Sequence, residues 1–179
     1  YSQFKYGEGD ATLKYGRMLG EMVVGEHSDV FLDDEVYVAS SAFRVAPPAS
    51  QGLVRPFVGS VRSAVALRGA EALLRTFTIG KSRLATDGYA DMTFEERRAT
   101  LQSDLILPED MDFNGRTVVM LDDIRVTGLR EEALEGLFTD AGAERTIFGY
   151  VLNVENGRDF PKIEGVLNRT AVKNLDDII

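Results

Sequence analysis

The sequence predicts an α/β domain with a mainly parallel central sheet flanked by helices. Three observations lead there. First, "FNGRTVVMLDD" places a turn at Asn114-Gly115 and then a short apolar run over 117–121, the kind of strand that is buried on both faces of a parallel sheet. Second, "LREEALEGLFTDAGA" sets Leu129, Ala133, Leu134, Leu137, Phe138 and Ala141 along one helical stripe, spaced for one apolar face. Third, "TIFGYVLNV" reads as another strand. Strand, helix and strand in that order predict a right-handed crossover between parallel neighbours.

The remaining elements follow along the chain. Residues 10–24 carry an N-capping aspartate, Asp10, and inward positions Leu19, Met22 and Val23, which predicts a helix. "EVYVAS" over 35–40 predicts a buried strand. "SAFRVAPPAS" is a loop, since Pro47-Pro48 breaks regular structure. A helix is expected over about 57–75, with Val58, Val61, Val65 and Leu73 inward, and "FTIG" predicts a short strand. Residues 81–110 are polar, with a helical piece at "TFEERRATL", and the tail "FPKIEGVLNRTAVKNLDDII" reads as a short helix with an acidic end. At 179 residues the chain is expected to form a single domain, 1–179. It begins with Tyr1 rather than Met, so a longer or trimmed chain is expected.

Composition excludes several functions. The chain has no cysteine, which removes disulfides, thiolate metal sites and a cysteine nucleophile and fits a cytoplasmic protein. The one histidine, His27, lies in the polar stretch "GEHSD" and reads as a surface residue. A net charge of −9 and a pI of about 4.7 argue against nucleic acid as partner. No stretch suits a membrane span. The charge is uneven: from Arg44 to Arg83 seven basic residues face one acid, Glu71, so that segment carries +6 and the remainder −15. A basic segment in an acidic protein suits a small polyanion, although Arg62, Arg68 and Arg75 read better as a solvated face.

The residues that carry chemistry are "VVMLDDIRVTG", 118–128. Ligands of open α/β sheets bind beyond the carboxyl ends of the strands, and Asp122 and Asp123 are expected at such an end. Adjacent carboxylates repel unless a cation or hydroxyl groups satisfy them, and Mg²⁺ or a ribose diol would do so. Behind them "IRVTG" leads into a helix whose N-terminal amides suit a phosphate, with Gly128 permitting close approach. Diol acceptors in front and a phosphate cradle behind describe a ribose 5-phosphate. The bland reading, a strand-end acid pair with Thr127 as a simple N-cap, needs only one of these features.

This run resembles the phosphoribosyl pyrophosphate (PRPP) motif of the type I phosphoribosyltransferases. The resemblance implies their fold, with a small hood built from the chain termini. It implies that Asp122 and Asp123 hold the ribose hydroxyls and touch Mg²⁺, the expected cofactor, only indirectly through ribose or water. Ile124, Arg125, Val126, Thr127 and Gly128 then complete the PRPP or nucleotide site, with 125–128 as the phosphate loop. "VYVASSAFRVAPPAS" stands where the family keeps its pyrophosphate loop, which nominates Ser40, Ser41 and Arg44. "KSRLATDGYADMTFEERRATLQSDLILP" has the place and polarity of the loop that closes over the site, which nominates Lys81 and Arg83 as pyrophosphate ligands and catalytic cations. This loop is similar to that of competence-associated phosphoribosyltransferases. Together with "FKYGEGDATLKYG", it also resembles phosphoribosyltransferase-like proteins of bacterial tellurium-resistance and stress gene clusters.

The implied reaction displaces pyrophosphate from C1 of PRPP by a nitrogen acceptor, with Asp123 a further candidate as proton acceptor. PRPP and a small acceptor or a nucleoside monophosphate are the expected partners, and the family leaves room for a homodimer. The chain also departs from the family. The position two residues past the loop glycine, where many members carry a hydroxyl, is Arg130. The usual Arg-Gly-Gly of the pyrophosphate loop is missing. Members acting on hypoxanthine, guanine or xanthine place an aspartate immediately before the loop threonine, and here that residue is Val126. The acceptor is therefore expected not to be a 6-oxopurine. Tyr1, Phe4, Tyr6, Phe148, Tyr150 and Phe160 are available to stack on it. A regulator that binds PRPP without turnover stands as the alternative. A receiver-like domain is the weaker rival, because no isolated phospho-accepting aspartate is seen on another strand.

Overall fold

The computed structural model describes residues 1–32, 35–41, 48–82, 96, 100, 104–154, 163 and 167. A five-stranded sheet in the order β3-β2-β1-β4-β5 is built from β1 (Glu35–Ser41), β2 (Leu73–Lys81), β3 (Leu105–Ile106), β4 (Thr117–Arg125) and β5 (Arg145–Asn153). All neighbours are parallel except β2 and β3. Helices α1 (Ser2–Lys5), α2 (Gly9–Glu26), α3 (Ala49–Ala66) and α4 (Leu129–Asp140), with a 3₁₀ turn at Ser28–Phe31, complete the described elements. The mainly parallel α/β architecture is the one the sequence predicts.

Strand alternation sorts the core into two layers. Val36, Val38, Val119 and Leu121 pack with Leu19, Val23, Leu53, Phe57, Val61 and Val65 of α2 and α3. Ala39, Val118 and Met120 pack on the other side with Leu134 and Phe138 of α4, and with Phe113. Tyr37, Phe77, Phe113 and Phe138 meet there mostly edge to face, the arrangement that ring quadrupoles favour. Helix α4 carries the expected stripe: Leu129, Leu134 and Phe138 are buried, and Ala133, Leu137 and Ala141 lean on the core.

Several boundaries differ from the expectation. Helix α3 begins at Ala49, directly after Pro48, and runs through Pro56, which a sequence reader takes as a break. The lost N–H is offset by packing against α2, where Gly16 leaves room for the Pro56 ring. The helix ends at Ala66, followed by left-handed Gly69. Leu73 is therefore not an inward helical residue: it opens β2, pairs with Glu35 and is 55% exposed. Met22 also points outward, at 45% exposure. Strand β2 is longer than "FTIG", and β4 runs through the acid pair to Arg125, because β5 pairs with it as far as Asn153. Most of the loop at 41–50, the polar segment and its helical piece, and nearly all of the tail lie outside the described residues.

Candidate functional site

The chain leaves β1 through α3 toward β2, on one side of the sheet. It leaves β4 through α4 toward β5, on the other. The connections thus diverge between β1 and β4, and such a divergence opens a crevice at the carboxyl ends of the strands. The β1–β4 pairing stops at Ala39 and Met120, while β4 continues along β5 through Asp122, Ile124 and Arg125. Asp122 and Asp123 therefore sit within β4 by its hydrogen bonding, yet just past the point where β1 lets go.

Adjacent strand residues face opposite ways, and the two acids do so. Asp122 is 5% exposed and turns toward α4, where its Oδ2 lies 3.2 Å from Arg130 Nη1. Its Oδ1 accepts the Asp123 N–H at 3.0 Å. Burial pushes the Asp122 carboxyl up to about 6, against the pull of Arg130 and with help from the Asp123 charge. Asp123 turns toward α1, where Lys5 Nζ donates to its Oδ2 and the Tyr1 hydroxyl donates to the same oxygen at 3.3 Å. Burial raises this carboxyl, but the Lys5 charge and hydrogen bond overcome it and hold it below the usual value. Each acid is thus matched by a cation from a different layer.

The loop behind them is built for close approach. Gly128 has φ +79° and is the N-cap of α4, with no side chain to cap the helix. A Cβ there would also lie 3.2 Å from Arg125 Nη2. The first-turn amides consequently rely on Thr127, whose Oγ1 accepts from Leu129 N–H at 3.4 Å, and on whatever anion arrives. Arg125 folds back over the loop, donating through Nε to Glu131 and through Nη1 to Asn153 at 3.4 Å. Tyr150 donates to the same Glu131 oxygen at 3.2 Å. Burial and then the Glu131 charge push its phenol strongly upward, so it stays protonated. Val126 and Ile124 are half-buried.

Ser41, 3% exposed at the end of β1, accepts a hydrogen bond from Arg130 Nη2. Ser40, 1% exposed, has an Oγ with no hydrogen-bond partner among the described residues and by alternation faces the α3 layer. Ser41 thus shares Arg130 with Asp122, whereas Ser40 lies on the face toward which Asp123 turns. Arg44, Arg83 and the Lys81 side chain lie outside the described residues. The backbone of Lys81 ends β2 opposite Leu105, and Ser82 Oγ donates to Asp104 at 3.0 Å, joining the two ends of the intervening segment.

Some contacts of the site are not nominated by the sequence: Lys5, Glu131, Arg130 as partner of Asp122, and Tyr1, named there only for stacking, as a donor to Asp123. His27 sits at the far end of the sheet, half-buried at the end of α2, with its Nδ1 2.9 Å from Arg145 Nη2. Arg62, Arg68 and Arg75 are exposed, as a solvated face requires. A groove of about 1030 Å³ between α2 and α3, lined by Thr12, Arg17, Gly52, Arg55 and Ser60 among others, contains neither acid. Among the described residues no three histidines or acids converge as a metal cage, and no helix is long and apolar enough to cross a membrane.

A family model described as PRTase ComF-like matches residues 1–179. No curated protein matches the sequence. Among solved structures, a hypoxanthine-guanine phosphoribosyltransferase from L. donovani superposes with a TM-score of 0.57 at 10% identity, covering 85% of this chain and 74% of that one. The Bacillus anthracis hypoxanthine-guanine enzyme gives 0.52 at 14% identity, with 81% and 68% covered. A Staphylococcus aureus hypoxanthine phosphoribosyltransferase gives 0.51 at 8% identity, covering 80% of this chain and 66% of that chain, so the present chain spans just under two thirds of that enzyme. At such identities the likeness is one of fold.

Proposed function

This chain belongs to the ComF-like phosphoribosyltransferase family, and from that premise we propose that it moves ribose 5-phosphate from PRPP to a nitrogen acceptor other than a 6-oxopurine, releasing pyrophosphate. One observation carries the reading: Asp122 and Asp123 stand where β1 and β4 part, directly ahead of the Thr127-Gly128 start of α4, whose N-cap is a left-handed glycine. Two acceptors and an anion cradle in that order match a ribose diol and its 5-phosphate.

In the reaction the C1–O bond to pyrophosphate breaks, its electron pair leaves with the pyrophosphate oxygen, and the acceptor nitrogen forms the new C1–N bond. Asp122 and Asp123 hold the 2- and 3-hydroxyls and fix the ring. Charge on the departing group falls to Ser41 and to the cations nominated for it, Arg44, Lys81 and Arg83. Donors placed where charge develops stabilise the transition state most. Asp123, held ionised by Lys5, is the available acceptor for the nitrogen's proton. Both acids already face protein cations, so the donor set fits Mg²⁺ carried in by the diphosphate and reached through ribose or water. When bound, that ion would neutralise the leaving group. Val126 offers no titratable group beside the loop, which supports excluding 6-oxopurines.

The same two ion pairs favour a second reading, a regulator that binds PRPP or a nucleotide without turnover, since Lys5 and Arg130 occupy the acids that the sugar needs. PRPP-dependent pyrophosphate release, measured across a panel of bases and amines, separates the two. Release with one acceptor supports transfer. PRPP binding with no release from any acceptor supports the regulator, and no PRPP binding removes both.

A further inference from the structure

Arg130 occupies an unexpected place. It stands two residues past Gly128, in the first turn of α4, where the resemblance implies a hydroxyl gripping the 5-phosphate. Its guanidinium instead spans the crevice: Nη1 is 3.2 Å from Asp122 Oδ2 on β4, and Nη2 donates to Ser41 Oγ on β1. The Nε is buried with no hydrogen-bond partner among the described residues, yet the side chain keeps 29% of its surface exposed. The loop's own arginine, Arg125, is engaged by Glu131 and Asn153.

We infer that Arg130 binds the diphosphate group of the substrate, its guanidinium pre-set across the β1–β4 gap by Asp122 and Ser41. This rests on the ribose 5-phosphate reading of the acid pair. If the diol lies on the acids and the 5-phosphate on the loop, the substituent at C1 is left on the β1 side, where Ser41 holds the guanidinium. A guanidinium has five N–H donors in a fixed plane, and two anchors orient that plane before ligand arrives. Planar forks suit phosphate oxygens, and a donor that is already positioned loses little freedom on binding. The chain lacks the family's Arg-Gly-Gly on β1's loop, and Arg130 supplies a guanidinium to that side from α4.

The test titrates magnesium pyrophosphate and ribose 5-phosphate separately, by calorimetry, into the wild type, Arg130→Gln and Arg130→Lys, with thermal unfolding as a check on folding. Arg130→Gln is expected to weaken pyrophosphate by roughly tenfold to a hundredfold, the range for a lost hydrogen bond to a charged group, and to leave ribose 5-phosphate within about threefold. Arg130→Lys keeps the charge without the fork, so the same preferential loss is expected at smaller size; it carries the test should the glutamine variant not fold. Unchanged pyrophosphate affinity, or an equal loss for both ligands, overturns the inference. A wild type that binds ribose 5-phosphate but not pyrophosphate also overturns it and leaves the sugar site intact. A wild type that binds neither overturns the sugar site as well.

Discussion

Lys5 of α1 and Asp123 of β4, 118 residues apart in sequence, form an ion pair at the mouth of the β1–β4 crevice. The acid assigned to the ribose diol is therefore already engaged by the chain's own N-terminal helix. Binding of the sugar must displace or share that contact. Lys5→Met is expected to strengthen ribose 5-phosphate binding by about threefold to tenfold and to lower stability by on the order of 1 kcal/mol, since the pair is only partly buried. Calorimetry with urea unfolding checks both. Weakened sugar binding would show that Lys5 contacts the ligand rather than competing with it.

Asp122 sets a pH dependence with a definite sign. Its folded carboxyl titrates at about 6 and its ordinary value is 3.8, so the folded protein takes up this proton first. Its contribution to stability is complete below about pH 4 and is lost as pH rises through 6. Asp123, held low by Lys5, acts oppositely and contributes above its ordinary value. Asp122→Asn removes the first effect and leaves the Lys5 part of the second. Unfolding free energy of the variant should therefore climb more steeply with pH than that of the wild type between about pH 4 and 6. Parallel profiles would contradict the buried-acid account.

The helix layer gives a contrast between two glycines. A Cβ at Gly16 would run into the Pro56 ring and lie 2.9 Å from the Leu53 carbonyl oxygen, whereas one at Gly59 would meet nothing within 4 Å among the described residues. Gly16→Ala should destabilise by about 1–3 kcal/mol, because a backbone carbonyl cannot move aside. Gly59→Ala should stabilise by about 0.5–1 kcal/mol through helix propensity. Neither should alter ligand affinity in the folded protein. Equal effects on stability would mean that α2 and α3 do not pack through these residues.

Val126 makes a negative prediction. General acid–base help is worth typically ~10²–10⁴-fold in rate, and a valine beside the phosphate loop supplies none. Conversion of labelled guanine or hypoxanthine in the presence of PRPP should be negligible beside that of the true acceptor. Efficient nucleotide formation from either base by the unmodified protein would falsify this reading.

The acid pair was legible because an apolar run ends abruptly in Asp-Asp and is followed by Thr-Gly, a local pattern that needs no tertiary information. Its partners were not legible. Lys5 reaches Asp123 only after the chain folds, and Arg130, though close in sequence to Asp122, stands out in the sequence only as a departure from the family's hydroxyl, because its direction depends on Ser41 of β1. The start of α3 was hidden by Pro56, whose cost is offset by Gly16 on another helix. The split of Ser40 from Ser41 follows from alternation, yet which face meets α4 is set by the whole sheet.

The most direct test of the sugar site is the affinity of PRPP with Mg²⁺ for the wild type and for the Asp122→Asn, Asp123→Asn double variant, measured by calorimetry with unfolding curves to show that both are folded. Each carboxylate is expected to contribute about 1–3 kcal/mol, so the double variant should bind at least roughly thirtyfold more weakly. Equal affinity in the two proteins, or no binding to the folded wild type, would contradict a ribose site at Asp122 and Asp123.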